Sequence, residues 1–167
     1  GLVNYQDLDI LFGSIQKMFG RQTDINVLQE DKISYVLAGK NLISDAAAGG
    51  AIINTPEVLG LQIARIEDFG IGNNPESFAS YGSKRFFTDA KRGVVLMLDG
   101  SSYQEPLTPI SEILMSQYFR TLFVNNLNNY KLGGYDPYND EYVLTFGDSG
   151  KAIDGIVYPC GTSISAE

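Results

Sequence analysis

The sequence predicts a mainly β fold with a few short helices, assembled from antiparallel hairpins. Three observations predict it. Ten Tyr and nine Phe stand among 167 residues, and aromatic side chains pack best on a pleated, half-buried surface. Short apolar runs recur between polar, turn-forming segments. With 44% hydrophobic residues, 19% charged residues and 18 Gly, the composition is that of a turn-rich globular chain with one sizeable core.

The elements follow in order. Leu8, Leu11, Phe12, Ile15, Met18 and Phe19 have helical spacing, which predicts a helix from Leu8 to Phe19, with Asp7 as its cap and Gly20 as its stop. Ile25 to Leu28 and Ile33 to Leu37 read as strands joined by the polar turn Gln29-Glu30-Asp31-Lys32. Asp45 to Gly50 is small and flexible, Ala51 to Ile53 a short strand, and Thr55-Pro56-Glu57 a single helical turn opened by proline. Asn73-Asn74-Pro75-Glu76-Ser77 is a turn or a short helix start, and the residue before proline is driven out of the helical region.

The clearest element comes next. Arg85 to Thr88 and Val94 to Leu98 are strands, joined by Asp89-Ala90-Lys91-Arg92-Gly93 and ended by Asp99-Gly100. An Asp that bonds the backbone ahead and a Gly that takes positive φ make a hairpin loop. Alternation turns Phe86 and Val95 inward. Ile110, Ile113, Leu114, Tyr118, Leu122 and Phe123 form one stripe, so Ile110 to Asn125 is a helix capped by Ser111 or Thr108. Tyr135 and the loop Asp136-Pro137-Tyr138-Asn139-Asp140 lead into a strand from Glu141 to Phe146, and Ile153 to Val157 is a further short strand.

Charge and composition exclude several roles. A net charge of −8 repels a phosphate backbone, so no specific nucleic-acid binding is expected. No basic amphipathic stretch suits a membrane surface, and the longest apolar run falls short of the ~20 residues of a spanning helix. Neither a basic start nor a long apolar core marks a signal peptide at Gly1 to Asp9. The chain opens without Met, as a fragment, a processed product or the ordered part of something longer does. It has no histidine, which removes the commonest general base and metal ligand, and Cys160 is its single cysteine, so it forms no internal disulfide.

Motifs that suggest chemistry each have a plainer reading. Gly147-Asp148-Ser149-Gly150 is similar to the nucleophile loop of chymotrypsin-type proteases, but no histidine activates Ser149, and small turn residues are common. Asp136, Asn139, Asp140 and Glu141 are oxygen ligands of the kind calcium takes, without the EF-hand spacing and in an order that equally makes a solvated turn. Asp7, Asp9, Asp24, Glu30 and Asp31 offer carboxylates, but no spacing singles out a glycosidase pair. Cys160 follows Pro159 with no Lys or Arg beside it to lower its pKa, which suits a small buried residue. The expectation is therefore no catalytic residue, no metal site and no cofactor. Tyr130, Tyr135, Tyr138 and Tyr142 cluster in the sequence and are the candidate interface residues, for protein or for sugar; hairpin packing is the other use of such residues.

Thr88 to Met97 aligns with Tyr135 to Leu144, so that Asp136 stands 47 positions after Asp89. Each copy has a strand end, an Asp, a polar loop and a second strand. Ser44 to Gly49 is a weaker third copy. A period of about 40–50 with strand–turn–strand content is that of propeller blades, and a closed propeller needs about four or more of them. The fold expected is thus propeller-like or partial-propeller.

Gly72-Asn73-Asn74-Pro75-Glu76-Ser77, followed by Tyr81-Gly82, Arg85-Phe86-Phe87-Thr88 and Asp89-Ala90-Lys91-Arg92-Gly93-Val94-Val95-Leu96, resembles a recurring element of virion proteins of tailed phages. The similarity is to tail proteins of crAss-like phages, the muzzle and ring type, and to related tail stabilisation proteins. Tyr118-Phe119-Arg120 and Gly134-Tyr135-Asp136 through Glu141-Tyr142 fit the same order, as do Val27 to Lys32 and Val58-Leu59-Gly60. The resemblance covers roughly Leu8 to Phe146 and rests on order and spacing. It implies a virion structural protein of the tail, made in the host bacterial cytoplasm, which acts through protein–protein contacts. It implies a homo-oligomeric ring, with other tail or portal-proximal proteins as partners and no catalysis. Residues 1–167 would then be a single domain or a fragment of a larger tail protein. The alternative is a receptor- or glycan-binding module of the same tail.

Overall fold

A computed structural model describes residues 5–21, 24–38, 59–100, 106–110, 113–147, 152–153, 156–157 and 163–166. The chain is mainly β, with a single α-helix among the described residues. Its strands form successive antiparallel sheets, each drawn from a continuous stretch of sequence.

The first sheet has the order β1-β2-β3-β4: β1 Ile15–Gly20, β2 Asp24–Gln29, β3 Ile33–Ala38 and β4 Leu59–Ala64. The hairpin of β2 and β3 is the one read from the sequence, with Leu28 facing Ile33 across its turn. The predicted helix from Leu8 to Phe19 is not there. A short 3-10 turn at Ile10–Phe12 ends at Gly13, whose φ of +80° no helix contains, and the chain then pairs along β2. The cap is Asp9, which accepts from the Leu11 N–H, and not Asp7. Of the stripe, Leu11, Ile15 and Met18 are exposed, while Phe19 packs against the core from its place in β1. Pairing with the next strand outweighed the helical period.

The second sheet has the order β5-β6-β7-β8: β5 Ala79–Tyr81, β6 Lys84–Asp89, β7 Val94–Asp99 and β8 Leu107–Pro109. A 3-10 turn at Pro75–Ser77 precedes it, with Asn74 outside the helical region at φ −128° and ψ 59°. Thr108 pairs with Met97 in β8, so it does not cap the helix that follows, and Ser111 lies outside the described residues. That helix, α1 Ile113–Asn125, starts three residues later than the stripe predicts.

The third sheet has the order β13-β10-β9: β9 Tyr130–Asp136, β10 Glu141–Gly147 and β13 Ser163–Ala166. Between them, β11 Ala152–Ile153 pairs with β12 Ile156–Val157. The single strand predicted over Ile153 to Val157 is thus a tight antiparallel pair. The segments 45–50, 51–53 and 55–57, the third repeat copy, Asp148 to Gly150 and Cys160 lie outside the described residues.

The β6–β7 hairpin is the centre of the molecule because both of its faces are covered. One face sends Phe86 and Val95 into a cluster with Phe119 and Phe123 of α1 and with Tyr142, Leu144 and Phe146 of β10. The other sends Phe87, Val94, Leu96 and Leu98 against Leu28 and Ile33 of the first sheet and against Ile71. Fully burying a side chain such as Phe87 contributes roughly 1.5–3 kcal/mol, so both clusters are needed to hold the sheets together.

The helix ends on a buried cation. Lys131 is fully buried, and its ammonium donates to the carbonyls of Asn126, Leu127 and Asn129 at 2.9, 3.3 and 2.9 Å. It thereby satisfies carbonyls of the turn that follows α1, beside the helix C-terminus, where a positive charge is favoured. Burial holds its pKa below the usual lysine value. Among the described residues no helix is long and apolar enough to cross a membrane.

Candidate functional site

Two polar hubs position the loops around the central hairpin. The first is Asp89, which closes β6 and is fully buried. Its carboxylate accepts from the Gly70 N–H at 3.0 Å, the Arg92 N–H at 3.2 Å and the Arg92 guanidinium at 2.8 Å. It thus ties the segment leaving the first sheet to the loop of the second. The backbone reinforces the tie, since the N–H groups of Ile71 and Gly72 donate to the carbonyls of Gln29 and Glu30.

The second hub is Ser77, also fully buried. Its hydroxyl donates to the Asn74 carbonyl at 2.7 Å and accepts from the Thr88 N–H at 3.2 Å. Its carbonyl accepts from the Tyr142 hydroxyl at 2.6 Å. Gly133 on β9 sits against the same carbonyl, so close that a Cβ there would lie 2.1 Å from it.

These hubs join the segments that the sequence singled out separately. The two aligned hairpins have loops of equal length, Asp89 facing Val94 and Asp136 facing Glu141. In each the Asp side chain accepts an N–H ahead of it, from Arg92 and from Tyr138. In each the last loop residue has positive φ, +69° at Gly93 and +57° at Asp140. Phe119 is buried beside the first loop, and Arg120 packs on Gly93, where an added Cβ would meet it at 2.6 Å.

The candidate tyrosines divide. Tyr142 is buried in the core and is not a surface residue as it stands. Tyr135 is half-buried and stacks between Tyr81 and Phe86 at 4.7 and 5.3 Å, and Phe86 stacks on Tyr142 at 5.3 Å. This ladder of rings joins the second sheet to the third, and each such pair contributes roughly 0.5–1.5 kcal/mol beyond its burial. Tyr130 and Tyr138 are exposed.

Burial raises the Tyr142 phenol far above its ordinary 10.0, because a phenolate there would lose its water. A raised folded-state pKa gives stability that is whole below the unfolded pKa and lost as pH rises past it. Tyr142→Phe should therefore cost about 1 kcal/mol at neutral pH, the worth of the hydrogen bond to Ser77, and the gap to wild type should narrow above pH ~10. Urea unfolding at about pH 8 and about pH 11 measures both. A gap that is the same at the two values would reject the assignment.

The candidate carboxylates have structural partners. Asp24 is buried with Arg21 at 2.6 Å, Glu30 accepts from the Ser14 N–H and hydroxyl, and Asp31 pairs with Lys91 at 3.1 Å. Those hydrogen bonds hold the Glu30 carboxyl below its usual pKa. In the loop from Asp136 to Glu141, Asp136 accepts from the Tyr138 N–H and the Asn139 amide, while Asp140 accepts from the Tyr135 hydroxyl. Among the described residues no group of three or more His, Cys, Asp or Glu side chains is placed to hold a metal ion.

A cleft of about 460 Å³ opens beside the hubs. The turn at Gly72, Asn73 and Asn74 forms one wall, Ala90 and Lys91 of the central loop a second, and Leu127 to Tyr130 a third. Sequence reasoning missed this site. Its signal was the run Asn125-Asn126-Leu127-Asn128-Asn129, which reads only as a helix end until the fold brings it opposite Asn74.

Compared with known proteins, the chain matches no protein-family model and no curated protein.

Proposed function

We propose that the chain is a structural protein of a phage tail: a propeller-like scaffold that acts through protein–protein contacts and catalyses nothing. One observation carries the reading. The segments of the tail-protein resemblance, from Asn74-Pro75-Glu76-Ser77 through Asp89 to Gly93, Phe119-Arg120 and Tyr142, meet around the hubs at Ser77 and Asp89. They are interlocking parts of one packed unit.

The architecture is consistent with it. Two consecutive up-and-down sheets of four strands, with buried side chains between them, are the unit that propellers repeat around an axis. A closed propeller takes about four to eight such blades. On this reading the rest of the ring comes from copies of this chain or from neighbouring tail or portal-proximal polypeptides. The first sheet and the segments flanking it also leave large apolar side chains uncovered, Leu61 of β4 at 77% exposed, Ile10 ahead of β1 at 89% and Ile66 after β4 at 95%, as surfaces that join a partner do.

Mass spectrometry of purified phage particles, with light scattering of the purified chain, tests the proposal. The expected outcome is the polypeptide in the tail fraction and an oligomer in solution. Absence from particles together with a stable monomer would reject it.

A further inference from the structure

The geometry points to a binding site for an uncharged oligosaccharide in the cleft between Asn74 and Tyr130. Asn74 is the key observation. The residue is only 9% exposed, lines the cleft, and its side-chain amide makes no capping hydrogen bond and has no partner among the described residues. Its Nδ2 lies beside Gly72 on the same wall, where an added Cβ would meet it at 3.3 Å. An amide that no protein group holds, and that is reached from the cleft, is a group that a ligand can bond in place of water.

The remaining lining sets the class of ligand. Asn73, Asn128 and Asn129 add further amides; the Asn73 oxygen accepts from the Gln16 amide at 3.4 Å and the Asn129 nitrogen donates to the Asn126 amide at 2.8 Å, which leaves the Asn73 nitrogen, the Asn129 oxygen and the Asn128 amide as donors and acceptors for a ligand. A sugar hydroxyl is likewise both donor and acceptor, so a polyol matches such a wall, whereas an apolar ligand would strand it. Tyr130 is half exposed and gives the cleft an aromatic ring, a surface for the C–H face of a pyranose. The cationic lining residue, Lys91, is held by Asp31 at 3.1 Å with Glu30 at 3.9 Å, so its charge is already neutralised. An anionic ligand would also meet a chain of net charge −8. The volume of about 460 Å³ lies within the range of roughly 300–1,000 Å³ of small-molecule sites. The site stands independently of the tail assembly, because one copy of the chain forms all of it.

Saturation-transfer NMR on the full chain tests the inference with chitobiose, maltose and lactose as neutral probes. Inorganic phosphate and an extended peptide serve as the other arms. Transfer to at least one neutral saccharide is expected at about 10 mM, with Asn74→Ala weakening it roughly tenfold. The variant should melt as wild type does, since this amide holds nothing in place. Asn128→Ala, at another position of the cleft lining, supplies the same reading should Asn74→Ala fail to fold. No transfer to any neutral saccharide would overturn the proposal. So would binding of only the phosphate or the peptide, or saccharide binding that survives both substitutions.

Discussion

Gly133→Ala is expected to destabilise the fold by about 3 kcal/mol or more, while Gly134→Ala is expected to leave it unchanged or up to about 1 kcal/mol more stable. The two glycines are neighbours on β9, and strand alternation points their missing side chains in opposite directions. At Gly133 a Cβ would lie 2.1 Å from the Ser77 carbonyl oxygen, 2.6 Å from its carbon and 2.6 Å from the Tyr142 hydroxyl. The first two are backbone atoms and cannot swing aside. The turn at Pro75–Ser77 must retreat from β9, and the Tyr142 hydroxyl then loses its acceptor. At Gly134 an added Cβ meets nothing within 4 Å, and its φ is not in the left-handed region. Chemical unfolding of the two variants side by side measures the contrast. Equal stability of the pair would mean that the approach of β9 to Ser77 is not what joins the second sheet to the third.

Asp89→Ala should have an effect of similar size for a different reason. The substitution leaves the Gly70 N–H, the Arg92 N–H and the Arg92 guanidinium without their acceptor at a buried position. Removing one member of a buried, hydrogen-bonded charge pair costs about 3–5 kcal/mol. For a chain of this length that is a fall in Tm of about 10 °C. Asp89→Asn keeps one acceptor oxygen and should fall between the variant and wild type. Calorimetry decides, and a Tm within about 2 °C of wild type for Asp89→Ala would show the carboxylate to be dispensable.

The sequence was most legible where structure is local. The hairpins around Glu30, Asp89 and Asp136 could be read because each carries its own strands and its own loop chemistry within one short stretch. The first element was misread because Leu8 to Phe19 has helical spacing, whereas the outcome there was decided by pairing with β2 and by Gly13. Edge strands were the least legible. β4, β5 and β8 are short or carry glycine or proline, and each strand is defined by the neighbour it meets. Much the same holds for the cleft. Asn73-Asn74 and Asn128-Asn129 are ordinary turn residues in sequence, and only the folded chain brings them to one cleft. Among the tyrosines, composition marked the cluster, but only packing could separate Tyr142 in the core from Tyr138 in solvent.

The order of strands in the first two sheets has a consequence for how the molecule comes into being. From β1 to β4 and from β5 to β8, every strand pairs with the one just before or just after it in the chain. Outside the β3–β4 connection of residues 39–58, bringing such neighbours together closes short loops, for which the entropic cost is small, and keeps contact order low. A chain emerging from the ribosome presents these strands in the order in which they pair, so neither sheet must hold a strand edge unpaired while a distant strand is made. The third sheet differs, because β10 completes its pairing only when β13 arrives beyond the β11–β12 excursion. Synthesis and folding can therefore proceed in step along most of the described chain, with the closing strand added last.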